Sequence, residues 1–288
     1  MAFKKAEKTQ SKLRLACYGP SGAGKTVSGV RVLNGMCKKI AVIDTERGRA
    51  AKCASDWADF DVCEVSDFGI DNMVKLMDEA ASEGYDGLVI DSLSHAWSAL
   101  IEDVERIAKA KYRGNTWSAW SEGTPKQRRL VNAIMAYPGH IWATMRSDTA
   151  WEQEKDSRTG KTKPVKVGLK PQQGKGIEYE FDFLLGITPE HVATVEKGPR
   201  LFQDKIIETP CEDFGKELVE WLSSGAAAVQ QEKDTNVPVT REQLTDIYDA
   251  TKEDGRWLKM GNLLQDGEAL KPGEITVKRL KEIMEGAK

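Results

Sequence analysis

The chain has no hydrophobic run that could span a bilayer. No apolar stretch approaches the roughly 18–20 uninterrupted residues that a spanning helix needs, and the mean hydropathy is −0.49, so no membrane association is expected. Cysteine is scarce and scattered: the five cysteines (Cys17, Cys37, Cys53, Cys63 and Cys211) form no C-x-x-C pair, and the three histidines stand alone. That excludes a disulfide framework and a zinc site of the usual spacing, and fits a reducing, cytoplasmic setting. Net charge is also small, −3, which excludes a chain that coats nucleic acid along its whole surface. Met1 to Lys12 is basic but lacks an apolar core and a cleavage site, so no secretory leader is expected.

The chain does contain alternation. Leu13–Tyr18, Ile40–Asp44, Phe60–Val65, Gly87–Asp91 and His140–Met145 read as buried strands. Between them, Thr26–Met36, Asn72–Glu83, His95–Lys111 and Pro125–Tyr137 have helical spacing, with Pro125 at a first helical position. Near-continuous apolar strands alternating with helices predict an α/β fold with a mostly parallel sheet covered on both faces. Further on, Ile177–Ile187 and Val192–Val195 read as strands joined by a turn, and Asp213–Leu222 as a helix. The expected organisation is a basic extension over 1–11, a core over 12–224, a linker over 225–239 and a small helical region over 240–288. That last region carries no chemical motif.

The strongest chemical signal is G-x-x-x-x-G-K-[ST], made of Gly19, Pro20, Ser21, Gly22, Ala23, Gly24, Lys25 and Thr26. A buried strand precedes it and a helix follows, the context in which such a loop cradles phosphates on backbone N–H groups and a helix N-terminus. An accidental glycine-rich turn has no reason to carry that context. Lys25 is expected on the β- and γ-phosphates of ATP and Thr26 on Mg2+. Asp91, ending the run Leu88–Asp91, is the expected second magnesium ligand; the structural alternative is a cap for the segment starting near Ser94. Hydrolysis needs a group to orient or deprotonate water. Glu46 stands just past the second strand, with Asp44 as its competitor. Thr144 ends the fifth strand, placed to sense the γ-phosphate, and Arg146 follows it.

Beyond Ser147 the chain turns polar and basic. Arg158, Lys161, Lys163, Lys166, Lys170 and Lys175 lie between Ser157 and Gly176 without an intervening acid. This reads as a long functional or mobile loop. A second basic segment, Lys111 to Gly123, interleaves Lys111 and Arg113 with Trp117 and Trp120. Cations beside flat rings suit single-stranded nucleic acid, where charge follows phosphates and rings stack on bases. A solvated loop and packed tryptophans are the structural alternatives.

Taken in order, the loop at 13–26, the segments 41–48, 88–97 and 142–147, and residues 176–182 resemble the RecA-type recombinase core. The likeness is to the short phage RecA-like ATPases grouped with single-strand annealing proteins, and it covers about 12–222. It implies a RecA-like P-loop core and a host-cytoplasm setting. Glu46 would be the catalytic base, Asp91 and Ser92 the strand-end pair, and Thr144 the sensor. DNA-facing loops are implied at about 111–123 and 148–176. The resemblance also implies homo-oligomers, ring or filament, in which a neighbour's Lys197 or Arg200 reaches the phosphates. The paired lysines of RecA are absent there, so the choice between the two stays open. The implied function is a Mg2+-dependent ATPase that oligomerises on single-stranded DNA and promotes annealing or recombination, with a single-strand binding protein as a further partner. Annealing is favoured over strand invasion. A RecA-fold helicase or packaging motor, a non-hydrolysing nucleotide switch and a small-molecule kinase are the competing readings.

Overall fold

In a computed structural model of the chain, the apolar runs assemble into one nine-stranded sheet. The structure describes residues 10–54, 56–155, 162–174, 176–224, 239, 244, 247–248, 256–264, 270–271 and 275–286, and over 149–155 and 162–168 it describes the backbone alone. The strands are β1 (Arg14–Gly19), β2 (Ile40–Asp44), β3 (Asp61–Glu64), β4 (Gly87–Asp91), β5 (His140–Lys155), β6 (Thr162–Pro171), β7 (Phe183–Ile187), β8 (Val192–Lys197) and β9 (Ile206–Glu208). The helices are α1 (Lys25–Asn34), α2 (Ile70–Ser82), α3 (Leu93–Lys111), α4 (Thr116–Ala136), α5 (Ile177–Glu180), α6 (Glu212–Ser223), α7 (Arg256–Asn262) and α8 (Val277–Gly286).

The spatial order is β3-β2-β4-β5-β1-β7-β8-β9, with β6 attached to β5. All pairs from β3 to β7 are parallel, and β7–β8 and β8–β9 are antiparallel. Period-two alternation splits each central strand between two cores. Ala16, Leu88, Ile90 and Ile141 pack with α2, α3 and α4 on one face. Leu15, Cys17, Val89 and Trp142 pack with α1 and α6 on the other. Strands covered on both sides must be apolar along their whole length, which is why these runs do not alternate in sequence. This is the expected α/β fold, a mostly parallel sheet covered on both faces.

Several local expectations change. The third strand is an exposed edge, with all four residues of β3 open to solvent, because only β2 pairs with it. Pro125 lies inside α4 and not at its start. Asn115 caps the helix nine residues earlier than a proline start would, accepting from the Ser118 N–H at 3.1 Å. The first turns of α4 then pack on α3 so closely that a Cβ on Gly123 would lie 2.4 Å from Val104 Cγ2. The expected loop over 111–123 is therefore helical from Thr116. The polar segment after Ser147 is a two-stranded arm in its described part: Ser147–Lys155 pairs antiparallel with Thr162–Pro171, with a bulge at Ala150/Trp151. A ladder needs backbone donors and acceptors and no apolar period, so hydropathy could not reveal it. Ile177–Ile187 divides into α5 and β7, and β9 was not anticipated.

Residues 1–227 and 228–288 form two compact units. In the second, Val239, Leu244, Met260, Ile275, Leu280 and Ile283 are buried together. No helix among the described residues is long and apolar enough to cross a membrane.

Candidate active site: a nucleotide cleft at the sheet edge

Parallel pairing carries the ends of β1, β2 and β4 to one edge, and β5 passes the same edge before continuing into the arm. Asp44 is opposite Asp91, Ile90 is opposite Ala143, and Cys17 is opposite Thr144. Residues about a hundred positions apart in sequence thus come to line one cleft of about 1170 Å3. Such crevices at the carboxyl ends of strands are where open α/β sheets bind ligands.

The phosphate loop runs from the end of β1 into α1. Gly24 is the N-cap of α1 at φ 83°, a left-handed conformation that glycine adopts freely, and a Cβ there would lie 3.0 Å from His191 Nδ1. Lys25 donates through Nζ to the Gly19 and Pro20 carbonyls at 3.0 and 2.8 Å. These contacts hold its ammonium over the loop, where incoming phosphate oxygens would compete for it.

Asp91 forms the floor. It is 2% exposed. Thr26 Oγ1 donates to its Oδ2 at 2.6 Å, and Thr144 Oγ1 donates to its Oδ1. Burial pushes the Asp91 carboxyl up, and the Thr144 and Thr26 hydroxyls act against that shift. A hydroxyl and a carboxylate this close are a hard oxygen pair that suits Mg2+, which is typically held by one or two carboxylates together with substrate phosphates. No cluster of three or more His, Cys, Asp or Glu side chains that could hold a metal ion occurs among the described residues.

Glu46 forms the rim. Its Oε1 accepts from Arg146 Nε and Nη2 at 3.2 and 3.0 Å, and its Oε2 accepts from Arg49 Nη1 at 2.9 Å. Burial by itself would raise the Glu46 carboxyl, but Arg146 and then Arg49 outweigh it and hold the group below its ordinary value. Asp44, the competing acid, is fully buried and spends its oxygens on the Glu46 N–H at 2.6 Å and the Ala50 N–H at 3.0 Å. It builds the turn that presents Glu46.

Several residues that sequence reasoning left without a role also meet here. Thr45 ties β2 to β4, accepting from the Ser92 N–H at 2.7 Å and donating to the Asp91 carbonyl at 2.9 Å. His95 lies 2.5 Å from Thr45 Oγ1 through Nδ1 and stacks on Phe68. Burial, then the charge of Arg146, lower its pKa. The Arg146 N–H donates to Ser94 Oγ at 2.9 Å, Ser94 Oγ donates to the Gln172 carbonyl at 2.9 Å, and the Gln172 N–H donates to the Arg146 carbonyl at 2.8 Å. Gln172 follows the second strand of the arm and also lines the cleft. Arg146 had a legible signal, two residues past Thr144. Gln172 and His191 had none, because their places depend on the β5–β6 and β7–β8 pairings.

Other expected site residues lie elsewhere. Trp117 is 88% exposed near the tip between α3 and α4, and Arg113, in the connection between those helices, is exposed as well. Trp120 is half-buried and stacks on Trp97 at 5.6 Å, so its ring is committed to packing. Lys197 donates to the Glu178 and Tyr179 carbonyls at 3.0 and 2.8 Å, capping the short helix of its own chain. Arg200 is exposed. Neither lines its own chain's cleft. Lys163 and Lys166 lie on β6, where only the backbone is described, and Lys170 is exposed near its end. Arg158, Lys161 and Lys175 fall outside the described residues, as do residues 1–9 of the basic extension and 225–238 of the linker.

A phosphate loop, a buried strand-end aspartate that a threonine hydroxyl reaches, and a glutamate at the neighbouring strand end define a P-loop ATPase core. The chain belongs to the AAA domain family, whose profile matches residues 11–209. No curated relative matches the sequence. Among solved structures, the chain is similar to a prototypical ATPase from the type III secretion system of pathogenic bacteria. The match has a TM-score of 0.32 and 15% identity over 96% of this chain and 79% of that one. A likeness that slight informs neither mechanism nor partners.

Proposed function

We propose that the protein is a Mg2+-dependent ATPase that assembles on single-stranded DNA and promotes annealing or recombination, as the resemblance to phage RecA-like proteins implies. In this reading the triphosphate lies on the loop 19–26, with Lys25 on its terminal phosphates and Thr26 and Asp91 holding the metal. The metal, when bound, draws charge from the phosphates. Glu46 takes a proton from water as the water oxygen bonds to the γ-phosphorus. The bond from that phosphorus to the bridging oxygen breaks, and its electron pair leaves with the diphosphate. Thr144, bonded to Asp91, reports the state of the site to the strand that continues into the arm.

One observation carries the link to DNA: the strand that supplies Thr144 to the nucleotide site is also the first strand of the arm, whose second strand bears Lys163, Lys166 and Lys170. The exposed Trp117, with the exposed Arg113 in the connection just before its helix, supports a second contact, its ring open for base stacking. Assembly would bring Arg200 of one copy toward the cleft of the next. Lys197, already capping its own α5, is the weaker candidate.

The test is ATP turnover with and without single-stranded DNA, comparing wild type with Glu46→Gln, alongside strand annealing. The expected result is stimulation by DNA in wild type, and a loss of about 10²–10⁴-fold in the variant. DNA affinity should fall steeply with salt, as counterion release requires. No single-strand binding at low salt would sink the DNA reading and leave the ATPase. Directional unwinding would point to a motor, and tight ATP binding without turnover to a switch.

A further inference from the structure

Arg146 occupies a position that the hydrolytic scheme above does not use. Its backbone is fixed on both sides, by Ser94 Oγ on the N–H and by the Gln172 N–H on the carbonyl. Only the side chain is left to move. The guanidinium lines the nucleotide cleft and grips Glu46 Oε1 through two nitrogens. While it does so, the carboxylate has both oxygens occupied, since Arg49 holds the other. A glutamate in that state is poorly placed to receive a proton from water.

We propose that Arg146 is a catalytic cation acting within its own chain: in the absence of nucleotide it pairs with Glu46, and on binding of a nucleoside triphosphate it transfers to the γ-phosphate. The exchange places positive charge where negative charge builds during phosphoryl transfer and, in the same movement, frees Glu46 Oε1 for water. The chemistry favours it. The arginine side chain is 49% exposed, and an ion pair at such a site contributes little. A terminal phosphate offers more charge than a carboxylate and several oxygens to a planar fork that binds them in pairs. A diphosphate lacks that group, so it leaves Arg146 on Glu46. The arrangement therefore distinguishes ATP from ADP, and because Arg146 is hydrogen-bonded to Gln172, the distinction is made at the root of the arm.

The inference rests on Glu46 as the base, and its test separates the two. Arg146→Ala and Arg146→Lys are compared with wild type, without DNA, for kcat, KM, and binding of ADP and of a non-hydrolysable ATP analogue. Arg146→Ala should lower kcat by about 10²–10³-fold. It should weaken analogue binding roughly tenfold, one charge-assisted contact's worth, and leave ADP binding as it was. Arg146→Lys, which keeps the charge and loses the fork, should recover part of kcat. A higher or unchanged kcat in Arg146→Ala would overturn the proposal and make the pair a simple restraint on Glu46. Equal weakening of ADP and analogue would also overturn it, as the mark of a structural role. If the alanine variant does not fold, Arg146→Lys decides: wild-type discrimination between analogue and ADP together with wild-type kcat refutes the proposal. Full turnover by Glu46→Gln would remove the base reading, whereas the analogue-to-ADP ratio reports on Arg146 in either case.

Discussion

The cleft has two acids that behave in opposite ways. Asp91 at the floor is buried, takes its hydrogen bonds from neutral hydroxyls, and has its carboxyl pushed up by burial. Glu46 at the rim is flanked by two arginines that are 49% and 60% exposed, and its carboxyl is held down. The floor is set before any ligand arrives, because a buried group must have its partners in place at all times. The rim is held by contacts that water can replace cheaply. One acid thus belongs to the architecture, and the other is held by side chains that are themselves open to solvent.

The sharpest way to break this contrast is to remove each acid and measure stability together with turnover. Asp91→Ala should abolish Mg2+-dependent hydrolysis. It should also destabilise the fold by about 1–3 kcal/mol in urea unfolding for each of the Thr144 and Thr26 hydroxyls, the first buried and the second partly so, that is left without an acceptor. Glu46→Gln should lose about 10²–10⁴-fold in kcat while its unfolding midpoint barely moves. Equal stability losses in the two variants would erase the distinction between floor and rim. A smaller effect is expected from Thr144→Val, which removes one donor from Asp91. Loss of a hydrogen bond to a charged group is worth about 1.5–3 kcal/mol, expressed here as weaker Mg2+-nucleotide binding and a lower unfolding midpoint. Thr144→Ser should restore most of both.

The smallest effect concerns pH and sharpens the rim. The base must be ionised, and a lowered pKa keeps it ionised to lower pH. The acid limb of kcat/KM, which reports the free enzyme, should therefore fall below the usual glutamate range. Turnover is then retained on the neutral side and lost as pH drops through that lowered value. Arg49→Ala removes one of the two cations, so the limb should move to higher pH. An unmoved limb would show that Arg49 does not tune Glu46.

The phosphate loop, its flanking strand and helix, and the strand ending in Asp91 were legible because each is a local pattern. Ile40–Asp44 and Gly87–Asp91 have the bounds that their apolar runs suggest. The arm was not legible, because a backbone ladder between polar segments leaves no hydropathy period. The start of α4 was misplaced because Pro125 is a stronger local marker than Asn115, yet packing of Gly123 on Val104 carries the helix through it. Trp117 and Trp120 look alike in sequence, and one turn of helix separates an exposed ring from one stacked on Trp97.

By itself, the sequence determined that this chain carries a phosphate-loop motif and where it lies. Glycines at fixed offsets followed by lysine and threonine encode that geometry within eight residues. Only the tertiary structure decided that Asp44 builds a turn while Glu46 faces the cleft, and that Arg146 grips Glu46 across a hundred residues of chain. Those relations depend on parallel strand register, which is set by long-range pairing and core packing and has no local signature.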